Sequence, residues 1–178
     1  TMEDYFNYQI TLHRYLDAGY VLSLQEQQEK IKATRSAIRK VAGKDYTCQE
    51  MHKYLVHNKE LDTQTADAII EDLKERGFLN DERYAEEKAQ YYASLGYGRE
   101  KILRTLQKKG IDRETALSAV ADFKDEQEEE RAVDMAQRLK LTIKDRSRKM
   151  KRQMIVSKLI AQGYSGEIAR KAVDQIDL

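Results

Sequence analysis

Hydrophobic positions along the chain fall into short helical stripes punctuated by glycine. The clearest runs from Gly96-Tyr97-Gly98 to Lys109-Gly110-Ile111. Within it Ile102, Leu103 and Leu106 recur at i, i+1 and i+4 on a helix that is otherwise polar and mostly basic. Ile102, Leu106, Gly110, Ile111, Ala116 and Val120 set a pattern that returns at identical spacing as Ile155, Leu159, Gly163, Tyr164, Ala169 and Val173. A further copy, Met51, Leu55, Leu61, Ala66 and Ile70, carries one extra residue in its turn near Lys59-Glu60. Each copy reads as helix, tight turn, helix. A period of about 45–55 residues is that of repeat arrays, in which each unit buries its apolar face against a neighbour. Any two amphipathic helices resemble each other along one stripe, but here the match crosses the turn and enters the second helix.

The same periodicity predicts the remaining elements. Residues 4–18 read as an amphipathic helix with Tyr5, Tyr8, Ile10, Leu12, Tyr15 and Leu16 as its apolar content, closed by Gly19. Ser23-Leu24-Gln25-Glu26 fits a capping box opening a helix through Ile31, Ala37, Ile38 and Val41 to Gly43. Thr47-Cys48-Gln49-Glu50 is a second capping box, and Asp62, Asp112 and Ser165 stand where N-caps belong. Gly77-Phe78-Leu79-Asn80-Asp81 reads as a turn with Phe78 and Leu79 as buried anchors and Asn80 or Asp81 as the cap. The helix after it turns Tyr84, Ala85, Tyr92 and Leu95 inward. Ala132, Val133, Ala136, Leu139 and Ile143 mark another helix, with a break expected near Asp145–Ser147. No alternating strand pattern occurs. The expected fold is all-α: an elongated array of three tandem three-helix repeats over 29–79, 80–124 and 125–178, preceded by an N-terminal helical extension over 1–28.

Composition supports this picture. Apolar residues make up 40% of the 178 and charged residues 35%, which favours a thin array over a compact globule. Proline is absent, so glycine alone interrupts the helices. A single cysteine, Cys48, leaves no intrachain disulfide and suits a reducing compartment. There is neither an apolar run long enough to span a bilayer nor a signal-peptide pattern, and a cytoplasmic, membrane-free protein is expected. The net charge of +1 conceals a segregation. Acids dominate from Asp122 to Asp134 and bases from Arg138 to Lys158, where Asp145 is the one acid. The acidic run reads as a solvated linker or helix start, where carboxylates suit the helix dipole. The basic block suits an anionic partner.

Catalytic and metal chemistry find little to work with. His52 and His57 are five apart rather than the i, i+4 pair that places two ligands on one helix face. Cys48 sits within a capping box without a supporting ligand cluster, and Gly96 and Gly98 form a helix–helix turn rather than a phosphate cradle. No enzyme activity, cofactor or metal is expected. Tyr84 and Tyr92 fit a core at helical spacing, while Tyr91 and Tyr97 stay open between packing and base stacking.

Two motifs together resemble a known family. Gly77-Phe78-Leu79-Asn80-Asp81-Glu82-Arg83-Tyr84-Ala85, followed by Gly96-Tyr97-Gly98 through Lys109-Gly110-Ile111, is similar to the signature of the RecX family. Asp45-Tyr46-Thr47 through Leu55, and Leu159 through Ser165, are similar to that family's first-repeat start and last-repeat turn. Asn80 stands where the family commonly has Asp, and Gly43-Lys44 where basic residues are common. The resemblance, over about residues 29–178, implies tandem three-helix units in a curved molecule without a catalytic site. It implies a monomeric regulator that binds RecA and its filament on single-stranded DNA and suppresses ATPase, strand-exchange and coprotease activities.

Two sets of basic residues are the candidate RecA- or DNA-binding site: Arg99, Lys101, Arg104, Lys108 and Lys109 on the middle copy, and Arg146, Arg148, Lys149, Lys151 and Arg152 before and along the matching helix of the last. They suit a phosphate backbone or an acidic protein groove. A merely solvated helix face competes with this reading, more strongly for the middle set. The alternative function is a stand-alone DNA-binding protein of helix-turn-helix-like repeats, contacting single-stranded or duplex DNA without RecA. The near-neutral net charge and the lack of a second basic recognition helix count against it.

Overall fold

A computed structural model of the chain describes residues 1–3, 18–143 and 146–177. Among them every regular element is a helix. In chain order these are α1 (Ala18–Val41), α2 (Cys48–Lys59), α3 (Thr63–Glu75), α4 (Asp81–Ser94), α5 (Arg99–Lys108), α6 (Arg113–Ala119), α7 (Asp125–Thr142), α8 (Arg148–Ala161) and α9 (Gly166–Asp174). The helix expected over 4–18 lies, apart from Ala18, outside the described residues. The Gly19 stop and the capping box at Ser23–Glu26 do not occur, because α1 continues unbroken through both. A single glycine costs a helix only about 1 kcal/mol, and the Gln/Glu/Lys run behind it favours helix. Thus α1 also spans position 28.

The described residues form two compact units. The first contains residues up to Asp45 together with Met51–Phe78. Its core is Ala33 and Ala37 of α1, Met51 and Leu55 of α2, and Ala66, Ile69, Ile70 and Leu73 of α3. The Ser36 and Tyr54 hydroxyls lie 2.7 Å apart at its edge. Asp62 caps α3 by accepting from the Thr65 amide at 2.9 Å. Residues 21–30 of α1 are all exposed.

The second unit contains Tyr46–Glu50 and the chain from Leu79 onward. Two core clusters fill it. Tyr84, Ala85, Ala89, Ile102, Leu106, Ile111, Ala116 and Val120 pack α4–α6 together, and Ala132, Ala136, Ile155, Leu159, Tyr164, Ala169 and Val173 pack α7–α9. Ile102, Leu106, Ile111, Ala116 and Val120 in the first cluster, and Ile155, Leu159, Tyr164, Ala169 and Val173 in the second, are the residues that the repeat places at matching positions. The expected caps Asn80, Asp112 and Ser165 accept from Arg83, Glu114 and Thr115, and Ile168 respectively.

Two expected inward positions face solvent. Phe78 is 39% exposed, with its ring 5.0 Å from the Arg76 guanidinium, while Leu79 alone provides the buried anchor of that turn. Leu95 is 47% exposed, because it is the C-cap residue of α4 and lies past the inward stripe.

Candidate functional site

In the second unit, the starts of α2 and α5 each dock on the turn of the next copy along the chain. The capping box of α2 forms as the sequence implies, with the Thr47 hydroxyl accepting from the Glu50 amide at 3.1 Å. That hydroxyl also donates to the Lys109 carbonyl at 2.6 Å, and the Lys109 ammonium lies 2.8 Å from the Glu50 carboxylate. One copy later the geometry returns. The Gly98 amide donates to the Gln162 carbonyl at 2.9 Å, the Glu100 amide donates to Gly163, and the Lys101 ammonium reaches the Gln162 side chain at 2.6 Å. Thr47 and Gly98 hold the same repeat position, as do Glu50 and Lys101, and Lys109 and Gln162.

Glycine is required on the accepting side. Gly110 and Gly163 have φ of +91° and +94°. A Cβ on either would lie 2.3 Å from Gln49 or 2.4 Å from Lys101. The first copy places Glu60 at the corresponding left-handed position, with φ 54°.

A carboxylate from the next copy completes each docking. Asp81 accepts from the Cys48 amide at 2.9 Å, and Glu128 accepts from the Arg99 amide at 2.8 Å. Glu128 is only 3% exposed, an interior charge within a run that composition alone assigns to solvent. One signal in the sequence points to it. Helix α5 opens on Gly98, which has no side chain to cap the helix, so the cap must come from elsewhere.

This architecture divides the ten basic candidates. Arg99 donates to the Phe123 carbonyl at 2.6 Å and to Asp125 at 3.1 Å, and lies 3.5 Å from Glu128. Lys101 stacks on the Tyr97 ring at 3.7 Å besides meeting Gln162. The hydrogen bond to Glu50 raises the pKa of Lys109. Arg152 pairs with Asp174, which raises the Arg152 pKa and lowers that of the carboxyl. The side chains of Arg104, Lys108, Arg146, Arg148, Lys149 and Lys151 have no hydrogen-bond or ion-pair partner among the described residues. All of these but Lys151 are exposed, and Lys151 is half-buried.

Three of the six, Arg148, Lys149 and Lys151, open α8, whose first turn contains no acid. Cations at the positive end of a helix are unfavourable by a few tenths of a kcal/mol to about 1 kcal/mol each. By contrast α4–α7 and α9 all place carboxylates there. These three cations at the start of α8 therefore have no internal partner among the described residues. Tyr97 stacks in parallel on Tyr92 at 5.6 Å, and Tyr91 remains 55% exposed. Among the described residues no group of three or more His, Cys, Asp or Glu side chains could hold a metal ion, and no helix is long and apolar enough to cross a membrane.

Fold and docking together define a tandem three-helix repeat protein. Residues 80–120 match the second three-helix domain of RecX. The chain is 26% identical over 170 residues to the regulatory protein RecX of Listeria monocytogenes serotype 4b, covering 94% of this chain and 62% of that protein. It is 28% identical over 165 residues to the regulatory protein RecX of Clostridium perfringens, covering 90% of this chain and 76% of the relative. A crystal structure of RecX from Lactobacillus salivarius superimposes with a TM-score of 0.77 at 23% identity, over 84% of this chain and 97% of that one. A crystal structure of a regulatory protein RecX gives 0.80 at 20% identity, over 90% of this chain and 79% of that one. The chain is thus similar over most of its length to regulatory proteins RecX, and spans about 62% of the length of the Listeria relative.

Proposed function

We propose that the chain regulates the RecA recombinase by binding RecA and the RecA–single-stranded DNA filament, lowering its ATPase and recombinase activity without catalysis of its own. The observation that carries this reading is the basic cluster at the start of α8, in a second unit whose other helix starts carry or borrow acids. A nucleoprotein filament presents phosphate and acidic protein surface together, and either suits such a field. A regulator shifts the filament equilibrium only through contacts that differ between the active filament and its alternatives. The RecA partnership comes from the family resemblance, and the exposed cations supply a physical means of engagement in the cytoplasm. The candidate contact set contracts to Arg104, Lys108, Arg146, Arg148, Lys149 and Lys151, since the other four cations are already engaged.

The test is RecA ATPase on single-stranded DNA with increasing amounts of this protein. Inhibition at near-stoichiometric ratio is expected, and unchanged turnover sinks the reading. Tight, salt-sensitive duplex binding in the absence of RecA would favour the stand-alone DNA-binding alternative.

A further inference from the structure

Helix α1 overruns the unit that it builds. Its side chains enter the core at Ala33 and Ala37, whereas residues 21–32, more than three turns of helix, are exposed throughout. Most helical stability in water comes from packing an apolar face, so a free segment of this length is marginal by itself. The exposed turns carry such a face. Leu24, Ile31 and Ile38 recur at intervals of seven residues and form one stripe along α1. Leu24 is 41% and Ile31 51% exposed. The stripe ends in a groove of about 450 Å³ between α1 and α3, lined by Ile31, Ile38, Ala68 and Ile69. A seven-residue apolar repeat is the pattern that fits the side of another helix.

Charge divides the same helix. From 18 to 29 its charged residues are Glu26 and Glu29, and from 30 to 41 they are Lys30, Lys32, Arg35, Arg39 and Lys40. Glu29 meets Lys32 at 2.9 Å, an ion pair exposed on both sides and worth little by itself.

We infer that this face is a self-association surface, on which two copies of the chain pair through antiparallel α1 helices. A two-fold contact uses one patch twice, so the patch must complement itself. Reversal lays the acidic half of each α1 beside the basic half of the other and turns each Leu24 toward the other copy's Ile31–Ile38 groove. Parallel pairing would set base against base. A nucleic-acid backbone has no use for the apolar stripe, and both it and an anionic membrane surface are repelled by Glu26 and Glu29. An acidic helix of another protein matches Lys30 and Arg35 but opposes the two acids. Such a pair replaces the monomer that the family resemblance implies, and needs no RecA.

Sedimentation velocity of the whole chain over a micromolar concentration series tests this. A reversible monomer–dimer equilibrium is expected, weakened by high salt. Leu24→Gln/Ile31→Gln alters only exposed side chains and should weaken dimerisation about tenfold or more, because it removes the apolar anchors. A wild-type chain that stays monomeric overturns the proposal, as does a double variant that dimerises like wild type. Charge changes separate loss of pairing from loss of helix. Glu26→Lys/Glu29→Lys makes every charge on α1 positive, and Lys30→Glu/Arg35→Glu makes its middle acidic. Each variant alone should pair more weakly than wild type, and an equimolar mixture should restore the dimer. A mixture that pairs no better than its components overturns the antiparallel arrangement.

Discussion

Helices α5 and α8 share a register, an apolar stripe and a basic sequence, yet their charges do different things. Arg99 and Lys101 on α5, with Lys109 just past its end, hold the second unit together through Glu128, Gln162 and Glu50. On α8 Arg152 pairs with Asp174, and Arg148, Lys149 and Lys151 meet no acid among the described residues. The difference lies in the neighbour available to each helix. The last copy supplies a turn, a carbonyl and a carboxylate to the start of α5, whereas the start of α8 receives none of these among the described residues. Counting cations would rank the two helices alike, and only the neighbours separate them.

The largest effect should come from the turns that receive these helices. Gly163→Ala forces a Cβ to within 2.4 Å of the Lys101 backbone nitrogen while the residue sits at φ +94°. Strain and overpacking together should cost about 3 kcal/mol or more, read as a lowered urea midpoint. Gly110→Ala should cost about as much, because its Cβ would lie 2.3 Å from the Gln49 Cβ, which no side-chain rotation moves, at φ +91°. A Gly110 variant as stable as wild type would mean that the docking of α2 does not need the glycine.

Next comes the buried carboxylate. Glu128→Ala leaves the Arg99 amide and guanidinium short of a partner and should destabilise by about 2–3 kcal/mol in the same assay. Asp81→Ala, its half-exposed counterpart, should fall below that. A Glu128 variant as stable as wild type would return the acidic run to the solvated role that its sequence suggests.

A third effect is pH-dependent and belongs to the last copy. Tyr164 is buried, donates to the Gly96 carbonyl at 3.0 Å, and burial pushes its hydroxyl from 10.0 up to about 12. Between those values the folded ring keeps its proton while the unfolded ring has lost it. The folded state then binds more protons, so stability falls as pH rises from about 10 towards 12, by about 2 kcal/mol. Tyr164→Phe should lose about 1 kcal/mol at neutral pH but show a shallower alkaline decline. The middle copy has Ile111 at this position and contributes no such slope.

Most of the fold was legible because glycine turns and Asx or Ser caps are local signals. Asp62, Asn80, Asp112 and Ser165 each cap through their own side chains, and the core residues follow a period the eye can count. Gly19 and Ser23–Glu26 mislead because a capping box is only a short pattern, and nothing local shows that a helix already runs through it. The candidate site was half legible. Which side chains are basic can be read directly. Which of them are already paired depends on Glu50, Glu128, Gln162 and Asp174, each 20 or more residues away in sequence.

The smallest and most discriminating comparison pairs two lysines. Lys109→Ala removes an ion pair whose partners are 38% and 23% exposed, so screening limits the loss to about 0.5–1 kcal/mol. Lys149→Ala removes an exposed side chain with no partner among the described residues, and stability should stay within about 0.5 kcal/mol. Filament binding should order the other way, with Lys149→Ala weaker and more salt-tolerant than wild type and Lys109→Ala close to it. Chemical denaturation and a salt titration of binding read the two axes separately. If Lys109 proved to matter more for binding than Lys149, the division between cations that build the repeat and cations that meet a partner would have to be redrawn around α5.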